Sequence, residues 1–544
     1  MIVLHYDPGN AYSRYGIDHF IQRSGIPFDT GSFEREGIIT YGSGSEKTFS
    51  IRIHGTEIRN AICGRISFHH NSVPVCEIPD NTGNGEKDIA FFSGTSEKYP
   101  CVTRTADTID VGIDIFQETG HLLSGHLDAM WGTLGEPERD FVASHPSVDL
   151  LEDLLVAAVL EGCRSLKIPL VRKSPWPDAR KFAVCLTHDV DEVRKTYQWL
   201  TRPVRCLGKG DLPGLKRQLR LLYRKIRGVE PYWTFNEIAA IEKQFKAKST
   251  FFFLKESGKP KILSPRTWNL YGRSHSYSEP GVTDAICLVS GYGSEVAVHG
   301  SFYSYADPGL IKDETDELSA LIHEKISGIR QHHLNLSVPA TWDYQWDAGL
   351  SYDTTLGYKD RAGFRWGTSY PFFPFTGTVS HPIREIPLTI MDIAVLSHKD
   401  PLADCLLLAK KVGQVGGVLT LLWHPPLFNS LEFPGAGEVY ATIIGESIKQ
   451  NAWVTSAREI AEWQSARDAT RVSFRQNGPM FTIGLTDPDN NCFLSIYPPL
   501  HSVPEFSENA RVIGREIDPI SETECIHICV LQDEKKSGIE VNFT

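Results

Sequence analysis

From about residue 180 to 465, short apolar runs of strand length alternate with segments of helical apolar spacing. This alternation constrains the fold more than any other property of the chain. The runs are 182–186, 249–254, 295–298, 326–329, 386–390, 417–423 and 453–455. Between them, 234–248, 314–324, 401–412 and 438–451 carry apolar residues at the spacing of helices. Strands separated by helices pair in parallel, and a barrel is the economical way to close so many of them. In such barrels the chemistry gathers at the C-terminal ends of the strands. The distinctive polar residues stand at those ends: Asp189 and Asp191, His299, Arg330 and His424.

The first run continues as Thr187-His188-Asp189-Val190-Asp191. Burying an unpartnered carboxylate is costly. Two acids at one strand tip therefore imply a cation, a separated pair of pKa values, or both. The competing reading has one acid capping a helix that starts near Glu192 and the other solvated. His299 follows the run Glu295-Val296-Ala297-Val298, with Gly300 allowing a tight exit, so it is placed either to ligate a metal or as a structural histidine. Arg330 at its strand end is placed to clamp Asp189 and keep it ionised. His424, in Leu422-Trp423-His424-Pro425-Pro426, is a natural general acid.

The chain has 544 residues, enough for several domains. Residues 1–145 mix strand-like pieces (37–41, 49–54) with turn clusters such as 80–85, which predicts a small α/β domain of no identifiable chemistry. The pair His69-His70 reads as a loop feature, and Gly42-Ser43-Gly44 as a turn. Residues 146–177 predict a helix over 147–166 and a linker around Lys173-Ser174-Pro175-Trp176-Pro177. The barrel takes 178–468, and 469–544 predicts a small β-rich appendage with a turn at 487–491. Its Cys525-Ile526-His527-Ile528-Cys529 reads as a packed, half-buried strand rather than a metal site. Residues 194–227 are rich in Lys and Arg, which suits a solvated helical insertion or a contact to an anionic substrate near the barrel mouth. A net charge of −12 argues against a general nucleic-acid partner. Eleven scattered cysteines fit a reducing compartment. The first ten residues lack a secretion-signal pattern, and no apolar stretch is long enough for a membrane span, so a cytoplasmic location is expected.

In this order, the segments at the strand ends resemble the polysaccharide deacetylase family, the NodB homology domain, over roughly residues 178–465. The resemblance implies a distorted (β/α)7 barrel. The family's Thr-Phe-Asp-Asp motif is similar to Thr187-His188-Asp189-Val190-Asp191, in a variant with one residue between the acids, which implies Asp189 as base and Asp191 as metal ligand. His299 matches the first of two metal histidines. Arg330-Gln331-His332-His333 resembles Arg-x-Pro-Tyr/Phe, which implies Arg330 as the partner of the base. Gly349-Leu350-Ser351-Tyr352-Asp353-Thr354-Thr355 resembles a stretch that commonly follows. Leu422-Trp423-His424 matches Leu-x-His, with His424 as acid, and Asp392 lies where a partner orienting His424 is expected.

Two departures stand out. Position 303 holds Tyr where the second metal histidine belongs, and His332 stands in place of the family's proline. His332 is the candidate replacement ligand, because in an extended strand it would share the face of Arg330 while His333 pointed away. Otherwise water or substrate completes the coordination, or the metal is lost. The implied cofactor is a divalent metal, zinc by default. The implied reaction removes N-acetyl groups from a carbohydrate, with Trp423, Trp342, Trp346 and Trp366 as candidates to stack on sugar faces. Two alternatives stay open: a non-catalytic carbohydrate-binding protein on a degenerate barrel, and a hydrolase of small cyclic amides.

Overall fold

The computed structural model describes the chain except residues 7–8, 30–37, 43–46, 57–58, 60, 69–70, 84, 95–96, 258–269, 271–272, 274–275, 478–479, 487–491, 500–501, 519–523, 532–537 and 544. The His69-His70 pair and the turn at 487–491 lie outside the described residues, as does most of the Gly42-Ser43-Gly44 turn.

The N-terminal part carries an eight-stranded mixed sheet. Ile2–His5, Phe49–Ile53 and Thr108–Val111 run parallel, and the other pairs are antiparallel. The helices Ala11–Ser24, Ile115–Leu122 and Ser147–Leu166 send apolar side chains into its core. Ser147–Leu166 covers the predicted range, and it also ties this part to the next. Its buried Asp149 accepts hydrogen bonds from Thr368 Oγ1 (2.6 Å) and the Ser369 backbone N–H (2.8 Å). Leu170–Lys173, which overlaps the segment read as a linker, is a strand that pairs antiparallel with Cys492–Tyr497. It thereby joins one of two four-stranded antiparallel sheets that share a single core at the C-terminal end. Glu524–Val530 lies in the same sheet, with Cys525 and Cys529 buried and His527 bonded to Ser495 and Glu516.

The central part is an all-parallel, curled sheet of nine strands: Phe182–Val190 (β1), Thr250–Leu254 (β2), Glu295–Gly300 (β3), Gly328–Gln331 (β4), Tyr352–Asp353 (β5), Arg384–Glu385 (β6), Ile390–Met391 (β7), Val418–Leu422 (β8) and Ala452–Thr455 (β9). Their order is β6-β5-β4-β3-β2-β1-β8-β7, with β9 beside the start of β1. β1 is buried at all nine positions, as a central parallel strand covered on both faces must be. The strand expected over 386–390 is instead split. Residues 384–385 pair with β5 and residues 390–391 with β8, so one short stretch of chain borders both ends of the curled sheet. The residues between, including Pro387, lie in neither strand, because proline cannot donate to a ladder.

Between β1 and β2 the basic segment forms two helices, Gln198–Gly208 (α1) and Leu212–Ile226 (α2). The Asp211 side chain caps α2 by accepting from the Gly214 N–H at 2.8 Å.

Candidate metal centre and catalytic cleft

Parallel strands bring all their C-terminal ends to one rim, so residues far apart in sequence meet there. Asp189 and Asp191 leave β1, His299 sits in β3, Arg330 in β4, His332 just after β4, and His424 just after β8. Asp189, Asp191, His299, His332 and His424 line a cleft of about 780 Å³, a size suited to a small ligand.

Asp191, His299 and His332 each offer one donor atom, and these atoms lie within 4.8 Å of one another. His299 Nε2 is 3.3 Å and His332 Nε2 3.8 Å from Asp191 Oδ1. That oxygen is buried and, among the described residues, has no hydrogen-bond partner, which is costly unless something else binds it. His299 Nδ1 donates to the Arg330 carbonyl at 2.8 Å, which turns Nε2 toward the acids. Burial lowers its pKa, Asp189 and Asp191 outweigh that and raise it, and this nitrogen offers its lone pair once its proton is displaced by a cation. His332 Nδ1 donates to Glu256 Oε2 at 3.2 Å, which likewise turns its Nε2 toward Asp191. Burial pushes His332 down to about 3, so it is a neutral imidazole, the form that ligates. The orphaned carboxylate oxygen and two oriented imidazoles fit a divalent first-row cation.

Asp189 stands next to this set. Burial opposes its charge, but Arg330, then His299 and His424, hold its carboxyl below the usual carboxylate range. Arg330 Nη1 donates to Asp189 Oδ1 at 2.9 Å and to Thr187 Oγ1 at 2.8 Å. Its Nε and Nη2 donate to the carbonyl and hydroxyl of Thr354 at 2.9 and 3.0 Å. The guanidinium is therefore fixed on both edges. His424 Nδ1 meets Asp392 Oδ2 at 2.8 Å, and the His424 backbone N–H donates to the same carboxylate. Burial would lower the His424 pKa; Asp392 overrides it, with Asp191 and Asp189 adding, and the group rises to about 10. The site thus holds an ionised acid and a charged imidazole on one cleft.

Several local expectations are corrected. β4 ends at Gln331, and His332 opens a short 3-10 turn with His333 at φ 58°. His332 therefore enters the site through a turn and not through strand alternation. His333 does not point away: it lines the cleft, its ring centroid 4.3 Å from that of His332. Gly300 serves close approach rather than a tight exit, since a Cβ there would meet Gln331 Oε1 at 2.3 Å. None of the four tryptophans lines the cleft. Trp423 lies in the apolar core of the central sheet, Trp342 donates to Asp353 and Glu385, Trp366 donates to Asp128, and Trp346 packs near His381. The aromatic wall is Tyr197, Tyr232 and Phe433 instead. Tyr303 sits in the loop after β3 and is absent from the lining among the described residues.

Two partners were not anticipated. Glu256 follows β2 by two residues, a strand-end acid that its position alone could have flagged. Arg273 pairs with Asp191 Oδ2 at 3.0 Å and belongs to none of the sequence motifs, so it carried no signal. Arg273 is also the first charge, after the opposing effect of burial, that holds Asp191 well below the usual carboxylate range.

No protein-family model matches the chain, and no curated protein matches it. Among solved structures, a putative polysaccharide deacetylase from Mycobacterium smegmatis is similar at 18% identity, over 56% of this chain and 98% of that one, with a TM-score of 0.37. Puue allantoinase is similar at 15% identity, over 54% and 93% of the two chains, with a TM-score of 0.34. A family 4 carbohydrate esterase from Streptomyces lividans, in complex with acetate, is similar at 9% identity, over 51% and 93%, with a TM-score of 0.25. With TM-scores this low, neither fold nor activity passes from these proteins to this chain, and the meaning of the site rests on its own geometry.

Proposed function

We propose that this chain is a metal-dependent hydrolase that removes N-acetyl groups from a carbohydrate. One observation carries the reading: the Asp191, His299 and His332 donors share a cleft with an Arg330-clamped Asp189 and an Asp392-held His424. Asp191, His299 and His332 would hold the cation, zinc by its tolerance for mixed carboxylate and imidazole donors, and it would supply Lewis-acid polarisation of the acetamide carbonyl and acidify water. Asp189, kept ionised by Arg330, takes a proton from the attacking water. Arg330, bonded to Thr187 and Thr354, prevents the carboxylate from rotating away. His424 delivers a proton to the departing nitrogen as the C–N bond breaks, and Asp392 holds its ring in place. The products are acetate and a free amino sugar.

Acetate release from a soluble N-acetylated oligosaccharide tests this. Release should depend on added zinc or cobalt. Metal retention should fall strongly in His332→Ala and little in His333→Ala. Absence of acetate release by metal-loaded protein across a panel of acetylated sugars would overturn the reading, and equal metal content in His332→Ala and wild type would remove that ligand.

A further inference from the structure

Residues 198–227 carry nine Lys and Arg against one acid, Asp211, in a chain of net charge −12. They form the α1–α2 hairpin, which is packed through its inner face. A Cβ on Gly214 would meet Cys206 Sγ of α1 at 2.8 Å, and Gln218 donates to Glu432 at 3.2 Å. The outer face is apolar. On α1, Leu200, Val204 and Leu207 are 76%, 66% and 63% exposed; on α2, Leu219, Leu222 and Ile226 are 60%, 47% and 77% exposed. At 3.6 residues per turn, each trio falls within an arc of roughly 60° on its helix. On the same wheel Lys216 and Arg220 lie to one side of the α2 stripe, roughly 60° and 100° from its edge, and Arg205, Lys216, Arg220 and Arg224 have no acidic partner among the described residues.

Scattered exposed leucines need no explanation, but an exposed apolar stripe on each of two packed helices that also carry unpaired cations does. A surface of this make-up matches a partner that is anionic at its boundary and apolar beneath. We propose that the hairpin docks on a bilayer containing anionic lipid, with its leucines at the acyl boundary and its cations among the headgroups. The docking is peripheral, since no helix of the described residues is long and apolar enough to cross a membrane. Arg202, Val204 and Arg205 of α1 also form part of the cleft wall. Docking therefore sets the cleft mouth at the headgroup layer. Resting on the hydrolase reading, the substrate class is then an acetylated carbohydrate carried on the membrane.

The test is co-sedimentation of the full chain with vesicles of equal phosphatidylcholine and phosphatidylglycerol, and with phosphatidylcholine alone. The protein should partition onto the anionic vesicles and be released by salt. Leu219→Glu with Ile226→Glu should lower partition by about tenfold or more, and Lys216→Gln with Arg220→Gln by about tenfold. Circular dichroism should be unchanged in both, because all four side chains are exposed. Wild-type protein that stays in the supernatant, or partition that neither pair of substitutions weakens, would overturn the proposal. So would a wild-type dimer in sedimentation velocity that Leu219→Glu with Ile226→Glu turns into monomer, because the stripe would then be covered by a second copy. Vesicle binding needs no turnover, and acetate release from a soluble substrate is read separately, so either reading can fail alone.

Discussion

Glu256→Gln should weaken metal binding without touching a ligand. The carboxylate accepts from His332 Nδ1 at 3.2 Å, and the two side chains are 0% and 4% exposed, so solvent screens little of the interaction. Hydrogen bonds to charged groups contribute about 1.5–3 kcal/mol. With 1.36 kcal/mol per tenfold, that converts to roughly 10–100-fold in affinity, the range typical of partners behind a metal ligand. Glutamine keeps a neutral acceptor, so the lower end is expected. It also keeps an oxygen for the Phe302 N–H, which Glu256 accepts at 3.3 Å; alanine would orphan that donor and confuse stability with binding. Competition against a chromogenic zinc chelator reads the affinity. A double-mutant cycle completes the test: in a His332→Ala background, Glu256→Gln should have almost no further effect. Wild-type affinity in Glu256→Gln, or an undiminished effect without His332, would refute the coupling.

Asp189→Asn and His424→Ala should each lower acetate release by on the order of 10²–10⁴-fold, as expected of a general base and acid; wild-type turnover in either would remove it from the mechanism. Asp392 is the charge that lifts His424 to about 10, so Asp392→Asn should move the alkaline limb of the rate profile to lower pH, and an unmoved limb would count against the pair. The same raised pKa stabilises the fold fully below the ordinary histidine value and loses that contribution as pH climbs through about 10. Arg330→Met should cost about 3–5 kcal/mol in urea unfolding by stranding a buried Asp189. In wild type, the depressed Asp189 pKa contributes stability above the ordinary carboxylate range that is lost as pH falls through the folded value, and Arg330→Met should flatten this acid dependence.

Much of the central sheet was legible because burial on both faces writes itself as continuous apolar runs. The run 182–186 and the later runs near 250, 296 and 418 all became neighbours in one parallel sheet. Once strands are parallel, their polar C-terminal residues must share a rim, which is why Asp189, Asp191, His299, Arg330 and His424 could be grouped from sequence alone. The run 386–390 reads as one strand but the pairing residues are 384–385 and 390–391, because two-residue pairings leave no periodicity to detect. The four tryptophans were equally opaque: residue type does not say whether an indole faces the cleft or the core. His332 reached the site by a turn and a hydrogen bond to Glu256, neither of which a period of two can report. Arg273 meets Asp191 at 3.0 Å from a position more than eighty residues away, a contact that no local pattern announces. Local pattern records which face of an element is buried, so the sequence by itself determined the strand runs and the acids and imidazoles at their ends. Only the curling of the sheet brought remote side chains within hydrogen-bond reach, and so only the tertiary structure decided which of them hold one another in place.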